Sequence, residues 1–150
     1  MWYARREVHH TDVVEHWAAA VRAAENRGDW DEAISVISSV AECFSLDYVR
    51  HDAHLWHMDL LAEAGRLDEL AMRGETDTHA RRRLDRLFYE EDRDDDLRRR
   101  AQHGDKTALY LLVRLFRRRG EDTAAVQAVT AIDETDAYAL KLAHETLADT

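Results

Sequence analysis

The 150 residues, 45% hydrophobic and with a formal net charge of −10, are enough chain for one domain with a real core, and that charge opposes docking on phosphate backbones or anionic lipid. No run of about 18 apolar residues offers a membrane span, and Met1 to His10 lacks the apolar centre of a secretory signal. The single cysteine, Cys43, excludes an internal disulfide and cannot build a thiolate zinc site alone, so the expectation is a cytoplasmic chain that binds neither nucleic acid nor membrane.

Proline is absent and glycine occurs five times. Those two residues are the usual punctuation of loops and strand turns, so a helix-dominated chain follows. Arginine outnumbers lysine 19 to 2, a bias that GC-rich coding explains as readily as a need for bidentate anion contacts. In chain order, residues 1–10 carry Trp2 and Tyr3 ahead of Arg5 and Arg6 and read as an N-terminal cap on the first hairpin, with a sticky end for self-association as the alternative. Helical spacing then runs through Val14, Trp17, Val21 and Ala24; Ile34, Ile37, Val40 and Phe44; Val49, Ala53, Trp56 and Leu60; Leu84, Leu87 and Phe88; and Leu109, Leu112, Val113 and Phe116. Breaks fall at Gly28-Asp29, Ser45 to Asp47, Gly65-Arg66, Gly74 to Asp77, Glu91 to Arg93, His103 to Asp105, Gly120-Glu121 and Asp133 to Asp136. Asp29, Ser45, Thr76, Asp105 and Asp133 are the expected N-caps, because their short side-chain oxygens can accept from free backbone N–H groups. Seven to nine helices and no sheet are predicted.

A longer period overlies the helical one. Gly28-Asp29, Gly65-Arg66, Asp92-Arg93 and Gly120-Glu121 align at steps of 37, 27 and 28 residues, each preceded by an apolar pair: Ala23-Ala24, Leu60-Leu61, Leu87-Phe88 and Leu115-Phe116. A helix-turn-helix unit repeated at such a period implies stacked hairpins, since a lone hairpin cannot cover its own apolar face. The window from Trp17 to Ser45 resembles a tetratricopeptide repeat. Trp17 matches the signature tryptophan of the first helix, Ala33 the small residue of the second and Ile37 the large apolar residue after it, while Val21, Ala24 and Ser45 replace the family's glycine, tyrosine and proline. Leu109, Leu112, Phe116, Ala125 and Val129 occupy corresponding places in the fourth unit, and the second and third units are shorter than the family standard. The resemblance implies an all-α, right-handed α-solenoid of about four repeats, at about 12–45, 47–75, 76–104 and 105–133, closed by a capping helix at 134–148. It also implies a concave groove, lined by the first helices, that holds a peptide and has no catalytic residues.

Carrying the family's groove-facing positions onto this chain gives an acidic half, Glu15, Ala18, Arg22, Glu25, Asp52, Leu55, Asp59 and Glu63, and a basic, aromatic half, His79, Arg82, Arg86, Tyr89, Tyr110, Arg114, Arg117 and Arg118. Guanidinium groups beside phenol rings suit a carboxylate or phosphate, which arginine grips with two parallel hydrogen bonds. Arg82, Arg86, Tyr89, Tyr110, Arg114 and Arg117 are therefore the expected partner-binding residues. The competing reading makes these arginines a solvated face paired with Asp85, Glu90 and Asp92 through helical spacing.

His51, His54 and His57 recur every third residue on one helix, so their rings fan around its axis, and neighbouring pairs alone could share a metal. Structural histidines, buried or on the surface, are the preferred reading, a pH-responsive cluster and a metal site completed by His9, His10, Glu15, His16 or Cys43 being the alternatives. Trp17, Trp30 and Trp56 read as core or turn-covering residues, and Cys43 as a small buried hydrophobe. The expected function is a non-catalytic scaffold that binds an acidic or carboxylate-bearing protein or peptide, with no cofactor and no resident metal. A small helical enzyme or metal-binding protein using the histidine fan, and a self-associating regulatory subunit that forms a homo-oligomer, are the competing readings.

Overall fold

A computed structural model describes residues 16–41 and 48–145, which form helices and connecting turns. Among the described residues there are nine helices: α1 over 16–26, α2 Trp30–Ser38, α3 Tyr48–Glu63, α4 Leu67–Arg73, α5 Thr78–Glu90, α6 Asp94–Gln102, α7 Lys106–Arg118, α8 Asp122–Asp133 and α9 Ala137–His144. No helix among the described residues is long and apolar enough to cross a membrane. Trp2, Tyr3, Cys43, Ser45 and the expected N-terminal cap lie outside them.

One turn geometry recurs at the aligned positions. Gly28, Gly65 and Gly120 have φ of 70°, 73° and 76°, and Asp92, which stands where the others have glycine, has φ of 57°. In each turn the N–H of the next residue donates to the second member of the preceding apolar pair: Asp29 to Ala24 at 2.9 Å, Arg66 to Leu61 at 2.9 Å, Arg93 to Phe88 at 2.8 Å and Glu121 to Phe116 at 2.8 Å. This left-handed C-terminal stop satisfies a carbonyl that the helix itself leaves open. Aspartate tolerates that backbone better than most residues because its side chain is short and polar. Its carboxylate also accepts from Arg118 at 2.7 Å.

The caps hold in part. Asp29 accepts from the Glu32 N–H and Asp105 from the Ala108 N–H, each at 3.1 Å. Two starts differ from the expected ones. Asp77, not Thr76, accepts from the His79 N–H at 2.9 Å, and Asp136, not Asp133, accepts from Ala139 at 3.0 Å. Asp133 is instead the last residue of α8, with its carboxylate on the Thr135 N–H and hydroxyl. In both cases the carboxylate nearer the helix start captures the open N–H groups.

The chain divides into two compact units, Met1–Arg81 and Arg82–Thr150. In the first, α2 packs on α3 and α3 on α4, around Ala33, Ile37, Ala53, Met58, Leu60, Leu61 and Leu70. First helix meets first helix where the Trp17 and Trp56 rings lie 5.9 Å apart and the Trp56 indole N–H donates to Glu25 at 2.5 Å. Asp31 of α2 also forms an ion pair with Arg66, the residue before α4. Trp17 remains half-buried, as do Trp30 and Trp56. Gly74 allows α4 and α5 to approach closely, since a Cβ there would lie 3.2 Å from the Leu70 carbonyl oxygen and 3.3 Å from Arg81 Cα.

In the second unit α7 is central. It packs on α6, α8 and α9, and α6 also reaches α8. Its buried residues are Leu109, Leu112, Val113, Leu115 and Phe116, and the helices packed on it bury Leu97 and Ala101 of α6, Ala125, Ala128 and Val129 of α8, and Ala139 and Ala143 of α9. Each fully buried leucine contributes about 1.5 to 3 kcal/mol relative to exposure, and the alanines let the neighbouring helices come close.

Candidate functional site

The expected partner-binding residues all belong to the second unit, but they are not equivalent. On α7, Tyr110, Arg114 and Arg117 share the face toward α9 because they stand four and three residues apart. The Tyr110 and Tyr138 rings meet edge to face at 4.8 Å, the Tyr110 hydroxyl donates to Asp136 at 2.9 Å, and Arg114 donates to the Tyr138 hydroxyl at 3.3 Å. Burial, then the hydrogen bond with Asp136, holds the Tyr110 phenol above its ordinary value. Lys106 bridges Asp133 and Asp136, so one cation offsets part of the charge of two carboxylates at the corner beside Tyr110. Arg114 is exposed and Tyr138 is 47% exposed, so both can meet a ligand.

Arg117 differs from expectation. It donates to the carbonyls of Ala143 and Glu145 at the end of α9 and pairs with Asp122 at 3.2 Å. It therefore closes a helix C-terminus, where a cation satisfies open carbonyls. Tyr89 is also covered, since the Arg118 guanidinium lies 4.3 Å above its ring and donates to its carbonyl at 3.0 Å. Arg82 and Arg86 are exposed on α5, with Arg86 pairing to Glu90 at 3.4 Å one turn on. In the acidic half, Ala18 is buried, while Arg22 and Glu25 both engage Trp56.

Asp85, expected to pair with surface arginines along its own helix, is completely buried. Its Oδ1 accepts from Arg100 Nε of α6 at 2.5 Å, and Arg100 also donates to Asp105 at 3.2 Å. One guanidinium thus serves two carboxylates. Asp85 Oδ2 has no hydrogen-bond partner among the described residues. Burial, followed by a hydrogen bond with Asp105 and the charge of that carboxylate, pushes Asp85 up to about 8 against the opposing pull of Arg100.

The histidine fan is split between two environments. His57 is 3% exposed, and burial, with Arg73 nearby, lowers it to about 4 despite Glu69. His54, 7% exposed, turns toward the start of α5, where its Nε2 lies 2.7 Å from Asp77 Oδ2. The other oxygen of Asp77 lies 3.3 Å from His79 Nδ1. His79 stacks edge-on against both His51 and His54, at 5.3 Å and 5.5 Å. Burial lowers the His54 pKa against the pull of Asp77. For Asp77, burial alone would raise the pKa, but the His79 N–H and the two imidazoles outweigh it and hold the carboxyl low.

The cluster that forms is therefore His54, Asp77 and His79, with donor atoms all within 4.8 Å of one another. His51 and His54 belong to the fan read from the sequence, whereas Asp77 and His79 join through the turn between α4 and α5. The signal available in the sequence was a carboxylate two residues before a histidine at a helix start. Comparison with protein-family models, curated proteins and solved structures finds no match to this chain.

Proposed function

We propose that this chain is a non-catalytic protein-interaction scaffold, a right-handed α-solenoid of about four tetratricopeptide-like hairpins that takes an acidic or carboxylate-bearing peptide. The reading is carried by the recurrence of one left-handed stop at Gly28, Gly65, Asp92 and Gly120, each closed by the same backbone hydrogen bond. Neighbours within the units support it. α1 meets α3 in the first, while α7 meets α9 and α6 meets α8 in the second. First helices beside first helices and second beside second is the neighbour pattern of stacked hairpins. Such stacks work by presenting side chains along a face.

The favoured docking face is the α7–α9 surface, where Arg114 and Tyr138 stand exposed above Tyr110. An arginine beside two phenols offers a fork of donors for a carboxylate and a flat apolar wall for the residue that bears it. Arg82 and Arg86 of α5 supply further positive charge, whereas Arg117 and Tyr89 serve packing.

The test is fluorescence anisotropy with a labelled peptide ending in acidic residues. Arg114→Glu should weaken binding by about 100-fold, since a charge-assisted hydrogen bond is worth about 1.5 to 3 kcal/mol and reversal adds repulsion. Arg86→Glu should act more weakly, through the field of the face, and wild-type binding should fall as salt rises. Unchanged affinity in Arg114→Glu with an intact helical signal would remove this face from the reading.

A further inference from the structure

We propose that His54 Nε2, the Asp77 carboxylate and His79 Nδ1 form a binding site for a divalent transition-metal ion, a site separate from the peptide face and located entirely in the first unit. Two imidazoles and one carboxylate make an N₂O donor set, which suits zinc or another first-row divalent ion and leaves coordination positions for water or an added ligand.

The three groups come from two places in the fold. His54 projects from the middle of α3, while Asp77 caps α5 and His79 occupies its first turn. The cap fixes the carboxylate, because one Asp77 oxygen accepts from the His79 N–H at 2.9 Å. That bond also fixes the backbone from which the His79 ring projects. The donor atoms, all within 4.8 Å of one another, can close on one ion by small rotations of side chains, since metal–nitrogen and metal–oxygen distances of about 2.0 to 2.2 Å place ligands about 3 to 3.5 Å apart.

A second observation points the same way. His54 is more than nine-tenths buried, yet its Nε2 has no aligned hydrogen-bond partner among the described residues, although Asp77 Oδ2 is only 2.7 Å away. A plain buried hydrogen bond at that distance would be expected to align. A buried imidazole nitrogen and a carboxylate oxygen that lie this close without an aligned hydrogen bond are placed where two ligands of a shared cation can stand. The rest of the cluster is graded from buried to open, with side-chain exposures of 8% at His54, 16% at Asp77 and 32% at His79. An ion would therefore enter past His79. Once bound, it would clip the first turn of α5 to α3, bridging the turn that follows the short helix α4.

The experiment is titration of zinc alone into tag-free full-length protein, followed by calorimetry and by thermal unfolding. One tightly held zinc per chain is expected, with a rise in the unfolding midpoint, because an ion that binds only the folded state stabilises it. Asp77→Asn keeps a capping side chain, and His79→Ala removes a half-buried ring. Each should weaken zinc binding by at least about 100-fold and abolish the midpoint rise, given that even outer partners of metal ligands are worth 10- to 100-fold, while the zinc-free helical signal stays as in wild type. His9→Ala plus His10→Ala should leave affinity unchanged. Absence of binding at stoichiometric zinc would overturn the proposal, and so would affinity that survives both Asp77→Asn and His79→Ala. Peptide capture through Arg114 plays no part in this readout, so either result leaves the docking proposal to its own test.

Discussion

Asp85→Asn should make the protein more stable than wild type, increasingly so as pH rises. The Asp85 carboxyl is fully buried, held by Arg100 Nε at Oδ1 and without a partner at Oδ2. Its folded-state value lies near 8 against an ordinary 3.8, so between those two values the native protein keeps a proton that the unfolded chain releases. Unfolding then becomes easier with every step up in pH, by about 1.4 kcal/mol per unit at most. The stabilisation is complete below pH 3.8 and is lost progressively until the native carboxyl itself ionises near pH 8. Asparagine reproduces the protonated acid: its carbonyl can accept from Arg100 and its amide can donate toward Asp105. Urea unfolding followed by circular dichroism at pH 5, 6 and 7 should therefore show the variant gaining on wild type by about 1 kcal/mol or more per unit. A constant difference across that range, or a variant weaker than wild type throughout, would mean that Asp85 is ionised and paired with Arg100, and the reasoning fails.

Other perturbations follow from the same geometry. His57, held near 4 by burial, is neutral in the folded protein where the unfolded chain binds a proton, so stability falls as pH drops from about 6.5 toward 4. His57→Met should lose less than wild type between pH 7 and pH 5 in thermal unfolding; equal losses would place the acid sensitivity elsewhere. Trp17→Ala should cost about 2 to 3 kcal/mol in denaturant unfolding, below the range for fully buried aromatics because Trp17 is half-buried against Trp56, and a loss under about 1 kcal/mol would show that this ring contact contributes little. Gly120→Ala should cost about 1 to 2 kcal/mol although a Cβ there meets nothing within 4 Å, since the whole penalty lies in the left-handed backbone. A neutral result by chemical denaturation would mean that the turn relaxes.

The helices and turns were legible because both are local. Apolar spacing follows from helical geometry, and the alignment of Asp92 with three glycines marked a recurring turn, whose left-handed backbone at Asp92 only the structure reveals. Cap assignment was less secure where two candidate side chains lie close together, as at Thr76 and Asp77. The site residues depended on contacts distant in sequence. Arg117 reads as one more groove cation until the end of α9 arrives beside it, and Asp85 reads as a surface partner of its own helix until α6 brings Arg100. The fan of His51, His54 and His57 is visible as spacing, but which rings turn together depends on where the α4–α5 turn delivers Asp77 and His79.

The proposed function turns on docking of an anionic partner at the α7–α9 face. The decisive measurement is amide chemical-shift mapping while an unlabelled peptide with an acidic C-terminal end is titrated into isotope-labelled full-length protein. Saturable shifts concentrated in Lys106–Arg118 and Ala137–His144, strongest around Tyr110, Arg114 and Tyr138 and lost in Arg114→Glu, are the predicted result. Shifts spread evenly over the arginines, confined to residues before Arg82, or unchanged by Arg114→Glu would contradict it.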